Sequence, residues 1–265
     1  MKDLFSIDGK VALVTGGSRG IGEMISAGFL GSGAKVYICS RKADVCDATS
    51  KRLMEQYGGE CIPLPGDLSN LPGIEAVAAA LTERETQLDI LVNNAGTTWG
   101  APLDEFPEAG WDKVMDVNVK GVFFLTQKLL PLLRKSATHE DPARVINIGS
   151  VDGIKTPAFD NFSYGPSKAA CHHLTRVMAA HLIKENIIVN AIAPGPFPTW
   201  MLSAGVGFGG RVEGEDWDSV GKRNPRGRVG TMEDIAGLAI FLSSRAGAYT
   251  VGETITCDGG SVASS

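Results

Sequence analysis

Tyr164 and Lys168 stand four residues apart in the run Ser163-Tyr-Gly-Pro-Ser-Lys168. On a helix that spacing stacks the two side chains one turn apart on a single face. A phenol with a pKa of about 10 holds its proton at neutral pH, and a neighbouring ammonium favours the phenolate. The pair therefore predicts a group able to give or take a proton at a carbonyl or an alcohol. Pro166 lacks an N–H and belongs in a first helical turn, with Asn161 or Ser163 as the expected N-cap. Tyr164 would then stand at the mouth of the helix. The same spacing also suits a structural tyrosine beside a solvated lysine, so the surrounding elements must decide.

Those elements alternate. Lys10–Thr15 and Lys35–Cys39 are continuous apolar runs, the pattern of strands buried on both faces. Between them lies Gly16-Gly-Ser-Arg-Gly20-Ile-Gly22, opening a helix through Ile25, Phe29 and Leu30. Strand, glycine turn and helix together form a place for a pyrophosphate, with N–H donors at the helix start. The second strand ends in Ser40-Arg41-Lys42, with no acid to accept from a ribose 2′-OH. Arg41 and Arg19 are placed to grip a 2′-phosphate instead. Asp67, after a third strand at 61–65, suits either an adenine contact or an Asx-turn. Helices are expected at 43–57 and 71–86, and a fourth strand at 88–92 runs into Asn93-Asn94-Ala95-Gly96. A helix over 111–134 carries Pro131 and, in its middle, Asn118. Asn is mildly unfavourable there, which points to a bend or a buried role. The fifth strand, 143–148, ends at Gly149-Ser150. The Tyr164 helix is expected to run to about 185, a sixth strand spans 187–192 before Pro194-Gly195, and a helix at 231–243 and a strand at 254–257 close the chain. The result is an α/β fold: a doubly wound parallel sheet of about seven strands with helices on both faces, in one domain over 1–265.

The region 196–229 lacks periodicity and holds Phe197, Trp200, Met201, Leu202, Phe208 and Trp217, which predicts a substrate lid. Trp99 is expected as an opposite wall. Such a pocket favours an apolar ketone over a sugar, and Lys222, Arg223, Arg226 and Arg228 beside it form either a basic rim or a solvated loop. The formal net charge of −5 argues against a nucleic-acid or anionic-membrane surface. No charged and apolar leader and no long apolar run are present, so a cytoplasmic location without membrane insertion is expected. Five scattered cysteines without a C-x-x-C motif, and four histidines without ligand spacing, predict neither disulfides nor a metal site. Apolar residues around both long helices (Val119, Val122, Phe123, Leu130; Val177, Met178, Leu182) exceed one stripe and predict an oligomer.

Thr15-Gly16-x-x-x-Gly20-Ile-Gly22, Asn93-Asn-Ala-Gly96, Asn118, Ser150, Tyr164-x-x-x-Lys168 and Pro194-Gly195, in this order, resemble a classical short-chain dehydrogenase/reductase along essentially the whole chain. The wording around Asn94–Trp99, Ser150 and Tyr164 is similar to that of 3-oxoacyl-[acyl-carrier-protein] reductases, the rhamnolipid-associated branch above all. The resemblance implies an NADP(H)-dependent enzyme reducing a ketone to a secondary alcohol. Tyr164 would be the proton donor, Lys168 its partner and a ribose contact, Ser150 the donor to the substrate oxygen, and Asn118 the anchor of a proton relay. Gly16, Ser18, Arg19, Gly20, Ile21 and Gly22 would hold the phosphates, Ser40 and Arg41 the ribose end, and Asp67 and Leu68 the adenine. Asn94, Ala95 and Gly96 would line the ribose, with Pro194, Gly195, Phe197 and Thr199 completing the cofactor site. The expected substrate is a 3-oxoacyl thioester, with an acyl carrier protein as its conceivable carrier; a steroid-like or cyclic ketone is the alternative. A non-catalytic dinucleotide sensor would have no use for the proton path. A homotetramer is implied, a dimer being the runner-up. The family commonly has Ile or Val between Pro-Gly-x and x-Thr, whereas this chain reads Pro194-Gly-Pro-Phe-Pro-Thr199, where two prolines stiffen the segment and remove two N–H donors.

Overall fold

The computed structural model describes residues 3–156, 160–203 and 217–264. Phe208 of the expected lid lies outside them. Seven parallel strands form one sheet: β1 (Val11–Thr15), β2 (Lys35–Cys39), β3 (Cys61–Pro63), β4 (Ile90–Asn93), β5 (Ala143–Ile148), β6 (Ile187–Pro194) and β7 (Thr254–Cys257). Their order is β3-β2-β1-β4-β5-β6-β7. Strand order reverses between β1 and β4, and the crevice beyond the carboxyl ends at such a reversal is where ligands of this architecture lodge.

Alternation along each strand divides the core in two. Leu13, Leu91, Val145 and Val189 face one side, against α3 (Leu71–Thr82), α5 (Gly121–Ser136) and α6 (Tyr164–Leu182). Ala12, Val14, Ile38, Val92, Ile146 and Ile192 face the other, against α1 (Gly20–Gly31), α2 (Ala43–Tyr57) and α9 (Met232–Ser243). A strand apolar on both faces is the one kind that can sit between two helix layers.

Some expected boundaries move. The third strand stops at Pro63; Leu64 and Gly66 still donate their N–H groups to the Ile38 and Ser40 carbonyls, and Pro63 and Pro65 take the alternate positions, whose N–H would face the open edge of the sheet. The expected 111–134 helix starts at Glu108 and has three parts: α4 (Glu108–Met115), a π-helical turn at Asp116–Lys120, and α5. The turn carries Asn118, 1% exposed, so the buried role is what its position reflects. Of the residues expected to leave an unpartnered face, Val122, Met178 and Leu182 are spent in the chain's own core. Phe123 and Val177 stay exposed, together with Trp111 and Ile183.

A buried polar ladder ties α5 and α6 to the sheet. Asn93 Nδ2 donates to Thr126 Oγ1 on α5 at 3.0 Å and to Asn147 Oδ1 on β5 at 2.9 Å. Asn147 Nδ2 donates to Thr175 Oγ1 on α6 at 2.9 Å. These bonds hold β4, β5 and both helices at fixed spacing, and in a low-dielectric interior each matters more than in water.

Candidate active site

At the carboxyl ends of the strands, short polar residues fasten one strand to the next. Thr15 Oγ1 donates to the Val92 carbonyl at 3.2 Å and accepts from the N–H groups of Asn94 and Ala95, both at 2.9 Å. Asn94 Nδ2 returns a bond to the Thr15 carbonyl at 2.8 Å. Gly16 sits at φ +63° within this clasp, where a Cβ would come 2.7 Å from Asn94 Nδ2. Only glycine meets both conditions. The chain then enters α1, whose N-cap Arg19 is extended and offers no side-chain cap to the first-turn amides. Those N–H groups and the positive end of the helix dipole fit the pyrophosphate of a dinucleotide. Thr199 arches over the loop, its Cγ2 lying 3.3 Å from where a Gly20 Cβ would stand.

The end of β2 is linked to the same loop. Ser18 Oγ donates to Ser40 Oγ at 3.0 Å, and Ser40 Oγ lies 2.9 Å from Cys46 Sγ. Arg41 is exposed next to Ser40. Asp67 adopts the Asx-turn, its Oδ1 accepting from the Ser69 N–H at 3.0 Å, and Leu68 is buried behind it.

Tyr164 opens α6. Neither Asn161 nor Ser163 caps the helix with its side chain; both are buried, and Asn161 Oδ1 and Ser163 Oγ make no hydrogen bond. Ser150 ends the turn after β5, 7% exposed, its Oγ accepting from the Asp152 N–H at 3.2 Å. Its hydroxyl also lies within reach of the Tyr164 phenol. Lys168 is 5% exposed, its Nζ 5.5 Å from the centre of the Tyr164 ring and 2.8 Å from the Ile148 carbonyl, to which it donates. Ser150, Tyr164 and Lys168 are thus gathered at the end of β5. Asn118 joins them: its Oδ1 accepts from the Thr97 N–H, and its Nδ2 donates to the Thr97 carbonyl and to Ser167 Oγ, each at 2.9 Å. Both polar atoms of that side chain hold structure together.

The expectation that Lys168 lowers the Tyr164 pKa is corrected here. Burial pushes the phenol up to about 12, and the Ser150 hydroxyl opposes this. Burial likewise pushes the Lys168 ammonium down. Desolvation disfavours the charged form of each group. At neutral pH Tyr164 is therefore a protonated phenol, the form that donates.

The pocket walls also differ from expectation. The Phe197 ring is buried in the core against Gly230. Trp99 lies against Gly110 of α4, with Lys113 Nζ 5.1 Å from its ring. Met201 and Leu202, on α7 (Trp200–Ser203), and Trp217, at the start of α8 (Trp217–Lys222), are half-buried. Within the basic cluster, Arg228 is committed to a bidentate pair with Asp234, while Lys222, Arg223 and Arg226 are exposed. Asp152 and His172 were not singled out for the site. Asp152 lies within electrostatic reach of Tyr164 and Lys168. The one signal for His172 is its spacing, four residues beyond Lys168 and so on the same helical face.

Among the described residues no group of three His, Cys, Asp or Glu side chains is placed to hold a metal ion, and no helix is long and apolar enough to cross a membrane.

A family model described as Enoyl-(acyl carrier protein) reductase matches residues 16–262. The chain is 51% identical over 260 residues to the rhamnolipids biosynthesis 3-oxoacyl-[acyl-carrier-protein] reductase of Pseudomonas aeruginosa, with 98% of this chain and 99% of that one covered. It is 35% identical over 262 residues to gluconate 5-dehydrogenase of Gluconobacter oxydans, with 97% and 96% covered. Among solved structures, the P. aeruginosa RhlG/NADP active-site complex matches with a TM-score of 0.90 at 50% identity, covering 98% of this chain and 99% of that one. L-sorbose reductase of Gluconobacter frateurii, complexed with NADPH and L-sorbose, matches with a TM-score of 0.87 at 29% identity, covering 98% of each chain.

Proposed function

The chain belongs to the short-chain dehydrogenase/reductase family, and from that premise we propose that it reduces a 3-oxoacyl thioester to the 3-hydroxyacyl product with NADPH. The reaction class, ketone to secondary alcohol, follows from the family; the substrate and the residue roles are our reading. The observation that carries it is the meeting of Ser150, Tyr164 and Lys168 at the end of β5, across the crevice from the uncapped N-terminus of α1.

Bound NADPH would supply the hydride. It would lie along the Gly16–Gly22 loop and the first turn of α1, with Ser18, Arg19, Ser40 and Arg41 at its phosphates, Asp67 and Leu68 near the adenine, and Asn94, Ala95 and Gly96 at the ribose. Pro194, Gly195, Phe197 and Thr199 would border its other end. Ser150 holds the ketone oxygen by a hydrogen bond, and Tyr164 gives that oxygen its proton as the carbonyl carbon takes the hydride. Lys168, donating to the Ile148 carbonyl on one side and lying over the Tyr164 ring on the other, keeps the phenol in place. Asn118 fixes the Thr97 backbone and Ser167 around them. Holding the groups in this geometry removes orientational cost from the reaction.

The thioester rests on the 51%-identical relative and on half-buried Met201 and Leu202, which follow Thr199 where it meets the Gly20 loop. A carrier protein would meet Lys222, Arg223 and Arg226. The chain acts as one domain in the cytoplasm and assembles as a homotetramer through the exposed Trp111, Phe123, Val177 and Ile183; light scattering that gives a monomer at micromolar concentration would remove the assembly. The substrate test is NADPH oxidation by a 3-oxoacyl thioester, 5-ketogluconate and a bulky cyclic ketone. We expect the thioester to lead in kcat/KM. A lead of orders of magnitude for either of the others would overturn the proposal.

A further inference from the structure

We infer that His172 is the positioning residue for Ser150: its imidazole is the post against which the turn from Gly149 to Gly153 is set. The inference rests on Ser150 being the donor to the substrate oxygen. His172 stands on α6, two turns beyond Tyr164 and one beyond Lys168, so its ring points to the same side as theirs. It is 4% exposed. The Ser150 N–H donates to its Nε2 at 3.4 Å. A Cβ on Gly149 would overlap Nε2, and a Cβ on Gly153 would come 2.8 Å from Cε1. Gly149 is glycine because the backbone there lies directly on the ring; at Gly153 the α6 backbone at Lys168 and Ala169 crowds the Cβ position as closely as the ring does.

The ring is held in one state. To accept at Nε2, a neutral imidazole carries its proton on Nδ1. Burial, then the nearby charges of Lys168 and Arg176, disfavour a second proton, and a hydrogen bond to the Gly153 backbone opposes them only in part. Ser150 is therefore gripped at its N–H by α6, while its Oγ accepts from Asp152 and meets Tyr164. The helix that presents the phenol also sets the serine, which fixes the distance between the two donors to one substrate oxygen.

The test compares turnover with the 3-oxoacyl thioester and NADPH affinity, read from nucleotide fluorescence, in the full-length enzyme. His172→Met fills the space without a nitrogen acceptor; His172→Gln places an amide near Nε2. A shift of about 1 Å in a reacting group costs up to ~100-fold. We expect His172→Met to lose about tenfold or more in kcat, with KM and NADPH affinity near wild type, and His172→Gln to recover most of the loss. The Ser150→Ala/His172→Met double variant should be no slower than Ser150→Ala. If His172→Met does not fold, His172→Asn, which stops short of Ser150, carries the same expectations. A slow Ser150→Ala enzyme beside a fast His172→Met enzyme refutes the positioning alone, as do losses that multiply in the double variant. Wild-type turnover in Ser150→Ala refutes the serine reading beneath it.

Discussion

Replacing Asn147 by leucine should destabilise the protein by far more than its modest change in volume suggests. Asn147 is fully buried on β5. Its Oδ1 accepts from Asn93 Nδ2, and its Nδ2 donates to Thr175 Oγ1. Thr175 Oγ1 still donates to the Cys171 carbonyl without it, so that hydroxyl loses only an acceptor role. Asn93 keeps its bond to Thr126, but one of its two N–H groups is stranded in the core. Two lost bonds at about 1 kcal/mol each, plus about 1–3 kcal/mol for the stranded donor, give ~3–5 kcal/mol. Leucine's extra apolar burial offsets about 1–2 kcal/mol, leaving about 3 kcal/mol, or roughly 6–12 °C in Tm for a chain of this size. Denaturant titration at fixed protein concentration reads this directly. Thr175→Val should cost less, and the double variant should cost less than the sum, since the two share a bond. A loss below about 1 kcal/mol in Asn147→Leu would show that the ladder is not what spaces β5 and α6.

Two further expectations concern charge. Arg41→Asp should weaken NADPH relative to NADH by about tenfold or more, a charge-assisted contact being worth ~1.5–3 kcal/mol; an unchanged ratio of the two affinities would move the phosphate contact elsewhere. His172, with its pKa pushed down to about 4 in the fold against an ordinary 6.5, takes up its proton later than the unfolded chain as pH falls. Its contribution is whole above about pH 6.5 and is lost progressively down to about pH 4, roughly 2–3 kcal/mol in all. Stability measured across that window should fall less steeply in His172→Gln than in the wild type; parallel curves would contradict this.

Much of this was legible locally. The Gly16–Gly22 loop, the missing acid after β2 and the Tyr164–Lys168 spacing announce themselves because each needs only a few neighbouring residues. The seven strands are visible because burial on both faces leaves uninterrupted apolar runs. What stayed hidden depends on partners distant in sequence. Phe197 reads as a pocket residue until Gly230, more than thirty positions later, opens a slot for its ring in the core. Arg144 is the one charged residue of β5, and its sequence neighbours do not show what it pairs with. In the fold it is buried at the strand's start, donating to the Pro142 carbonyl and to that of Ser244 just past α9. The lysine's expected effect on Tyr164 failed because spacing shows that two groups are near but not how little water surrounds them. His172 escaped notice because its partner is a backbone N–H, which has no letter in a sequence.

The central claim is that Tyr164 delivers the proton in ketone reduction. The most direct measurement is turnover of the preferred ketone by Tyr164→Phe, followed at the NADPH absorbance band, alongside NADPH affinity. The phenol hydroxyl acts in the transition state rather than in cofactor binding. The variant should therefore bind NADPH within about twofold of wild type while losing at least ~100-fold in kcat. Near-wild-type turnover in Tyr164→Phe would take Tyr164 out of the mechanism.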